Sequence, residues 1–178
     1  MVEQPNLRTE RLLLRTPVSD DVPVIQNLLQ ERDIAATTLN IPHPYPEGAA
    51  AEWLAGSYQR IEEGLVAVFG MVRQTDLCYM GTVSLHLDPE HSAAELGYWI
   101  GKPYWNNGYT TEAVRRVIQY GFEEMDLHRI AACYYTHNPA SGRVMQKANM
   151  QFEGTLRQHT LKWGQFCDLG YYSILATD

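Results

Sequence analysis

Cysteine is scarce in this chain: Cys78, Cys133 and Cys167 are the only three in 178 residues. The count is odd and no two lie close in sequence, which excludes a disulfide framework and a zinc-ligand pattern. A reducing cytoplasm is the expected location. Long apolar runs are missing too, so no segment is expected to span a membrane. The opening MVEQPNLRTERLLLR carries charges where a secretory leader needs an apolar core. Positive charge is in deficit, with 14 Lys and Arg against 21 Asp and Glu and a formal charge of −7. That balance excludes broad binding to a nucleic-acid backbone. It suits either a cationic substrate drawn to an acidic cleft or simple solubility. The six histidines have no metal-ligand spacing, so no metal is expected. The chain also lacks both a Gly-Lys-Ser/Thr phosphate loop and a G-x-G-x-x-G fingerprint.

What is present is an ordinary globular composition, 45% hydrophobic and 20% charged, of a length that suits one domain over residues 1–178. Residues 7–16 alternate in character and predict a strand, with Leu12 and Leu14 on one face. Ser19-Asp20-Asp21 opens a helix with the apolar stripe Val22, Ile25, Leu28 and Leu29. Residues 31–46 read as irregular or short helical structure, broken by Pro42, Pro44 and Pro46. A helix over 47–63 follows and stops at Gly64. Strands over 65–73, 78–87 and 93–100 have short connections and form an antiparallel meander. Further on, the pattern predicts a helix over 111–125, a strand over 130–136, a short helix over 140–148 and a last hairpin, 151–161 with 166–175. This order gives an α/β (α+β) fold whose mixed, mostly antiparallel sheet carries helices on both faces. Its parallel step lies between the strands at 93–100 and 130–136, joined by a right-handed crossover.

The segment ELGYWIGKPYWNNGYTTEAVRRVIQYGF, Glu95 to Phe122, is the most informative. It reads as strand, loop and helix, with Gly108 where the helix begins. Unpaired amides and the positive end of the helix dipole make such a loop a phosphate site. Gly97 inside the strand marks a bulge or a close backbone approach. HNPASGRVMQKA, His137 to Ala148, places an amide and a hydroxyl at the C-terminal end of the next parallel strand, where ligands of open α/β sheets bind. Trp163, Phe166 and Asp168 mark the final hairpin.

Taken with the opening LRTERLLLR and the closing WGQFCDLGYYSIL, these motifs in this order resemble the GNAT N-acyltransferases, and within them the RimJ/RimL-type ribosomal-protein N-terminal acetyltransferases. The resemblance covers nearly the whole chain and implies a sheet splayed between its two central parallel strands. It implies that the amides of Asn106, Asn107, Gly108, Tyr109 and Thr110 hold the pyrophosphate of acetyl-CoA. Thr110 stands where relatives carry a smaller residue, and Asn107 where they often carry Gln or Lys. The pantetheine arm is expected along Leu96, Gly97, Tyr98 and Trp99, hydrogen-bonded by Asn138, with Ser141 near the sulfur and Arg143 reaching a phosphate.

The implied reaction is direct transfer from acetyl-CoA to an amine. Glu95, as a half-buried carboxylate, is the candidate base, working through water. A backbone N–H near Tyr98 polarises the thioester, and Ser141 meets the departing thiolate. Each has a plainer alternative: Glu95 as a strand-orienting carboxylate, Ser141 as a helix cap. Arg115 or Arg116 could also reach a phosphate. Tyr45, Trp53 and Trp163 could line an acceptor pocket or belong to the core. Asp168 is a candidate for an enclosed acceptor pocket. Cys133 and Cys167 read as buried apolar residues. The acceptor implied is a protein N-terminus, with a small amine such as a polyamine, aminoglycoside or amino-acid analogue as the alternative. A CoA-binding sensor without turnover is a reading of another class. The sequence leaves the oligomeric state open; an exposed C-terminal strand pair would favour a homodimer.

Overall fold

The computed structural model describes residues 4–178; the first three residues of the expected 1–178 domain lie outside them. The elements in chain order are β1 (Leu7–Arg8), β2 (Leu12–Arg15), α1 (Val22–Leu28), α2 (Arg32–Ala36), α3 (Ala49–Glu62), β3 (Val66–Arg73), β4 (Tyr79–Asp88), β5 (Ala93–Ile100), α4 (Tyr109–Glu123), β6 (Arg129–Tyr135), α5 (Pro139–Lys147), β7 (Gln151–Lys162) and β8 (Gln165–Leu175). They build one eight-stranded sheet in the order β1-β2-β3-β4-β5-β6-β8-β7. Every neighbouring pair is antiparallel except β5 and β6. The expected fold class is therefore the observed one.

Strand alternation decides what covers each face. Leu12, Leu14, Phe69, Met71, Val83, Leu85, Ala94, Leu96, Ile130 and Ala132 point to one side. There they meet Ala113, Val114, Val117 and Ile118 of α4 and Met145 of α5. Val72 and Tyr79 point to the other side and meet Ile25, Leu29 and Ala50 of the α1–α3 layer. Val66 and Val68 lie on that side too, under Ile61. With helices on both faces, β3 is buried from Val66 to Val72. A bidentate pair between Arg15 and Asp21, at 2.7 and 2.8 Å, ties the edge of the sheet to the entry of α1.

Several boundaries differ from expectation: α1 begins at Val22, after a separate turn at Ser19–Asp21, and α3 begins at Ala49. The single strand over 7–16 is two short strands, because the Thr9 N–H donates to the Leu12 carbonyl and the Thr9 hydroxyl accepts the Leu12 N–H, which together close a turn. Helix α4 begins at Tyr109 rather than Thr111, directly after Gly108. At the other end, Trp163 and Gly164 both take positive φ, which makes the tight turn of the β7–β8 hairpin.

Candidate functional site

The parallel pair is short. β5 and β6 are in register only at Ala93–Arg129, Ala94–Ile130 and Glu95–Ala131. Beyond Glu95, β5 stays with β4 as far as Ile100, while β6 follows β8 to Tyr135. A wedge opens between them, and the edge of β5 from Leu96 to Ile100 has no strand partner on that side. Two cavities meet in the wedge, one on each side of Tyr98, Trp99 and Ser141.

The smaller cavity, about 320 Å³, runs from Tyr98 to the start of α4 and along α5. Gly108 takes φ 80°, where L side chains are strained, and turns the chain into α4 with no side chain capping the helix. None of the amides from Asn106 to Thr111 donates to an acceptor among the described residues. Asn106 and Gly108 to Thr111 line the cavity together with Arg143 and Lys147 of α5, whereas Asn107 does not; the donor set suits a pyrophosphate.

The loop is held from behind. Glu112, in the first turn of α4, accepts from the Thr9 hydroxyl at 2.6 Å, the Arg11 amide at 2.8 Å and Arg11 Nε at 2.7 Å. Arg11 Nη1 donates to the Asn107 carbonyl at 3.0 Å, and its guanidinium lies 4.4 Å from the Tyr109 ring centroid. Burial pushes the Glu112 carboxyl up, but the Thr9 hydroxyl and the two Arg11 donors outweigh it and hold the group below the ordinary range. Asn107 spends its side-chain amide on the Tyr104 and Trp105 carbonyls. Arg115 caps α5 at the Lys147 carbonyl, and Arg116 pairs with Glu124 at 3.3 Å. Neither lines the cavity; Lys147 does.

At the junction, Tyr98 and Ser141 share a hydrogen bond of 2.9 Å between their hydroxyls, and Tyr98 donates to the Ser141 carbonyl at 3.1 Å. Burial pushes the Tyr98 hydroxyl well above its ordinary range, so it is neutral. Its one proton serves the carbonyl, which leaves the Ser141 proton for Tyr98 at rest or for another acceptor in the cavity. The hydroxyl of Ser141 is therefore not spent on a helix cap. Asn138, at the α5 N-terminus, makes no side-chain capping bond and lines the same cavity. α5 approaches the sheet at Gly142, where a Cβ would meet the Tyr134 ring at 2.9 Å. From the opposite side, a Cβ at Gly170 would meet that ring at 2.3 Å. Tyr134 is clamped between two glycines, and this sets the height of Ser141 above β6.

The larger cavity, about 750 Å³, lies on the α3 face of the wedge. Its floor is Ser84 and His86 of β4, Glu95 and Gly97 of β5, and Cys133 of β6. Tyr45, Trp53, Val66 and Val68 supply apolar wall. Glu95 is exposed on this floor rather than half-buried, which corrects the burial argument for it as a base. The Cys133 thiol donates to Glu95 Oε1 at 3.6 Å, and burial, then Glu95, push the thiol up to about 11. Gly97 makes no bulge; β4 and β5 stay in register throughout. The outer wall, Thr38 to Pro42, is gripped by the last hairpin. Lys162 Nζ donates to the carbonyls of Thr38 at 2.8 Å, Ile41 at 3.3 Å and Leu39 at 3.4 Å.

The wedge thus brings together Glu95, Leu96, Gly97, Tyr98, Trp99, Asn106, Gly108, Tyr109, Thr110, Asn138, Ser141, Arg143 and Tyr45. Trp163 and Asp168 stand apart from both cavities. Trp163 stacks with Arg32 at the hairpin tip, and Asp168 Oδ1 accepts the Gln158 amide at 2.7 Å where β7 is irregular. Sequence reasoning missed Arg11, Glu112, Lys147 and the groove residues Arg60 and His86. Each acquires its role by contact across elements rather than by a local motif. Among the described residues no helix is long and apolar enough to cross a membrane.

Residues 11–151 match the family model of the acetyltransferase (GNAT) domain. The chain is 32% identical over 174 residues to the uncharacterized N-acetyltransferase YoaA of Bacillus subtilis, covering 96% of this chain and 97% of that protein. It is 28% identical over 128 residues to the [ribosomal protein uS5]-alanine N-acetyltransferase of Escherichia coli, covering 71% and 66%. In structure it is similar to the spermidine N-acetyltransferase of Vibrio cholerae solved with CoA and spermine. There the TM-score is 0.82, the identity 22% and the coverage 95% of this chain and 98% of that one.

Proposed function

This chain belongs to the GNAT acetyltransferase family, and from that premise we propose that it transfers the acetyl group of acetyl-CoA directly to the N-terminal α-amine of a protein, ribosomal proteins being the leading class. The observation that carries this reading is the meeting of the two cavities at Tyr98 and Ser141. A cofactor entering from the α4 side and an amine entering from the α3 side reach the same point. The residues fit the cofactor. Open amides from Asn106 to Thr111, with Arg143 and Lys147, match a pyrophosphate. The unpaired edge of β5 matches the amides of an extended pantetheine arm, as an added strand would.

Acetyl-CoA supplies the activated acetyl group, and the protein supplies position and proton traffic. An α-amine has an ordinary pKa near ~8, so little help is needed to free its lone pair. Glu95 takes the proton that the ammonium gives up, directly or through one water. The amine nitrogen bonds to the carbonyl carbon, and the carbon–sulfur bond breaks. An N–H on the free β5 edge faces the developing oxyanion. Ser141, released from Tyr98, gives its proton to the leaving thiolate, and the second proton shed by the acylated nitrogen restores the serine hydroxyl. A covalent enzyme intermediate is not part of this route. Cys133, with its thiol held neutral, is a residue of the cavity floor.

Thiol release from acetyl-CoA with a panel of peptides and small amines tests this reading. Release with a free-N-terminus peptide, abolished by blocking that amine, is expected. Release only with polyamines or aminoglycosides would move the acceptor to small molecules. Tight acetyl-CoA binding with no turnover on any amine would leave a sensor.

A further inference from the structure

The larger cavity is nearly free of charge despite the −7 of the whole chain. Its lining holds one carboxylate, Glu95, and one guanidinium, Arg60. Neither belongs to an ion pair among the described residues. His86 stands between them. It is directly opposite Glu95 across the β4–β5 ladder, and Arg60 Nη2 lies 3.3 Å from its Nδ1. A guanidinium can only donate, so Nδ1 accepts and Nε2 carries the proton. That Nε2–H points to the Ser84 hydroxyl at 3.3 Å, and Ser84 can pass its own proton toward the Gly97 carbonyl at 3.5 Å. His86 is thus held as one neutral tautomer. Burial and the Arg60 charge lower its pKa against the opposing pull of Glu95. Arg60 spends one N–H on this network and keeps the others for the groove.

An unpaired carboxylate and an unpaired guanidinium, one imidazole apart in an aromatic-walled groove, form a zwitterion template. We propose that the acceptor is a primary amine bearing an anionic group a few bonds from the nitrogen, with the ammonium at Glu95 and the anion at Arg60. This rests on the transferase reading above and narrows its substrate class. A free α-amino acid with an apolar side chain meets the requirement, and so does a peptide N-terminus with an acidic residue in its first two positions. Polyamines and aminoglycosides do not, because each further ammonium would meet Arg60 or apolar wall instead of a carboxylate.

The test compares matched acceptors: leucine against leucinamide, Ala-Glu-Leu-amide against Ala-Gln-Leu-amide, and spermidine. Arg60 and Glu95 are exposed to solvent, so screened charge contacts predict that the anionic member of at least one pair has a kcat/KM on the order of two- to fivefold higher. The effect should fall mainly on KM. In Arg60→Gln that preference should collapse, and Arg60→Lys should restore part of it. The free amino acid and the peptide arms tell the two sources apart. Equal rates for charged and neutral members, or spermidine as the best acceptor, would overturn the proposal and leave the transferase reading intact. Failure of every amine, with acetyl-CoA still bound, would overturn both.

Discussion

Replacing Glu112 by Gln removes one charge and one acceptor from the brace behind the α4 loop, while keeping size and shape. Oε1 accepts from Thr9 and the Arg11 amide, and Oε2 accepts from Arg11 Nε. The glutamine NH₂ must therefore face a donor in either orientation. Loss of one to two charge-assisted bonds costs about 2–3 kcal/mol. The cost stays below that of a fully buried broken pair, because the Arg11 side chain is 41% exposed and can rehydrate. For a domain of this size that is a fall in Tm of about 5–10 °C. The pH dependence has a definite sign. Glu112 is held below the ordinary carboxyl range in the fold, so its stabilisation is complete above the unfolded carboxyl pKa and is lost as pH falls through the folded value. Melting of both proteins followed by circular dichroism should show the full gap near neutral pH and a closing gap in acid. Calorimetry should show weaker acetyl-CoA binding, about three- to tenfold, because Arg11 no longer fixes the Asn107 carbonyl. A Tm within about 1 °C of wild type near neutral pH, or a gap that persists in acid, would refute the brace.

Other substitutions probe the wedge itself. Ser141→Ala should lower kcat on the order of tenfold to a thousandfold with KM for acetyl-CoA little changed; an unchanged kcat would remove Ser141 from proton delivery. Gly170→Ala forces a Cβ to 2.3 Å from a Tyr134 ring that Gly142 blocks behind; denaturant melts should show a loss of about 1–3 kcal/mol, partly relieved by Tyr134→Leu in the same chain. Cys133, pushed up to about 11, should react with iodoacetamide at mildly alkaline pH about a hundredfold more slowly than an ordinary thiol, with the rate still rising beyond pH ~10; fast labelling near neutral pH would contradict the neutral state of this half-buried thiol.

How much was legible in the sequence depends on the range of the contact. The Gly108 loop, the stripe Ala113, Val114, Val117 and Ile118, and the β3–β5 meander are local patterns, and they appear where the residues imply. The turn at Thr9 was hidden because a threonine side chain closes it without Gly or Pro. The last hairpin was legible, but not that β8 lies inside against β6 while β7 takes the edge. Arg11 and Glu112 are 101 residues apart, and Arg60 and His86 sit on different layers, so no spacing rule joins them. Asp168 carried the right chemistry for an acceptor pocket. It was consumed by the backbone of an irregular strand, a demand that side-chain identity does not reveal.

The central claim, that the opened β5 edge and the α4 loop cradle acetyl-CoA, is met most directly by amide hydrogen exchange with and without the cofactor. Slowed exchange at the amides of Asn106 to Thr111, and on the free edge from Leu96 to Ile100, is the expected result. Binding of acetyl-CoA with exchange unchanged at both places would contradict it.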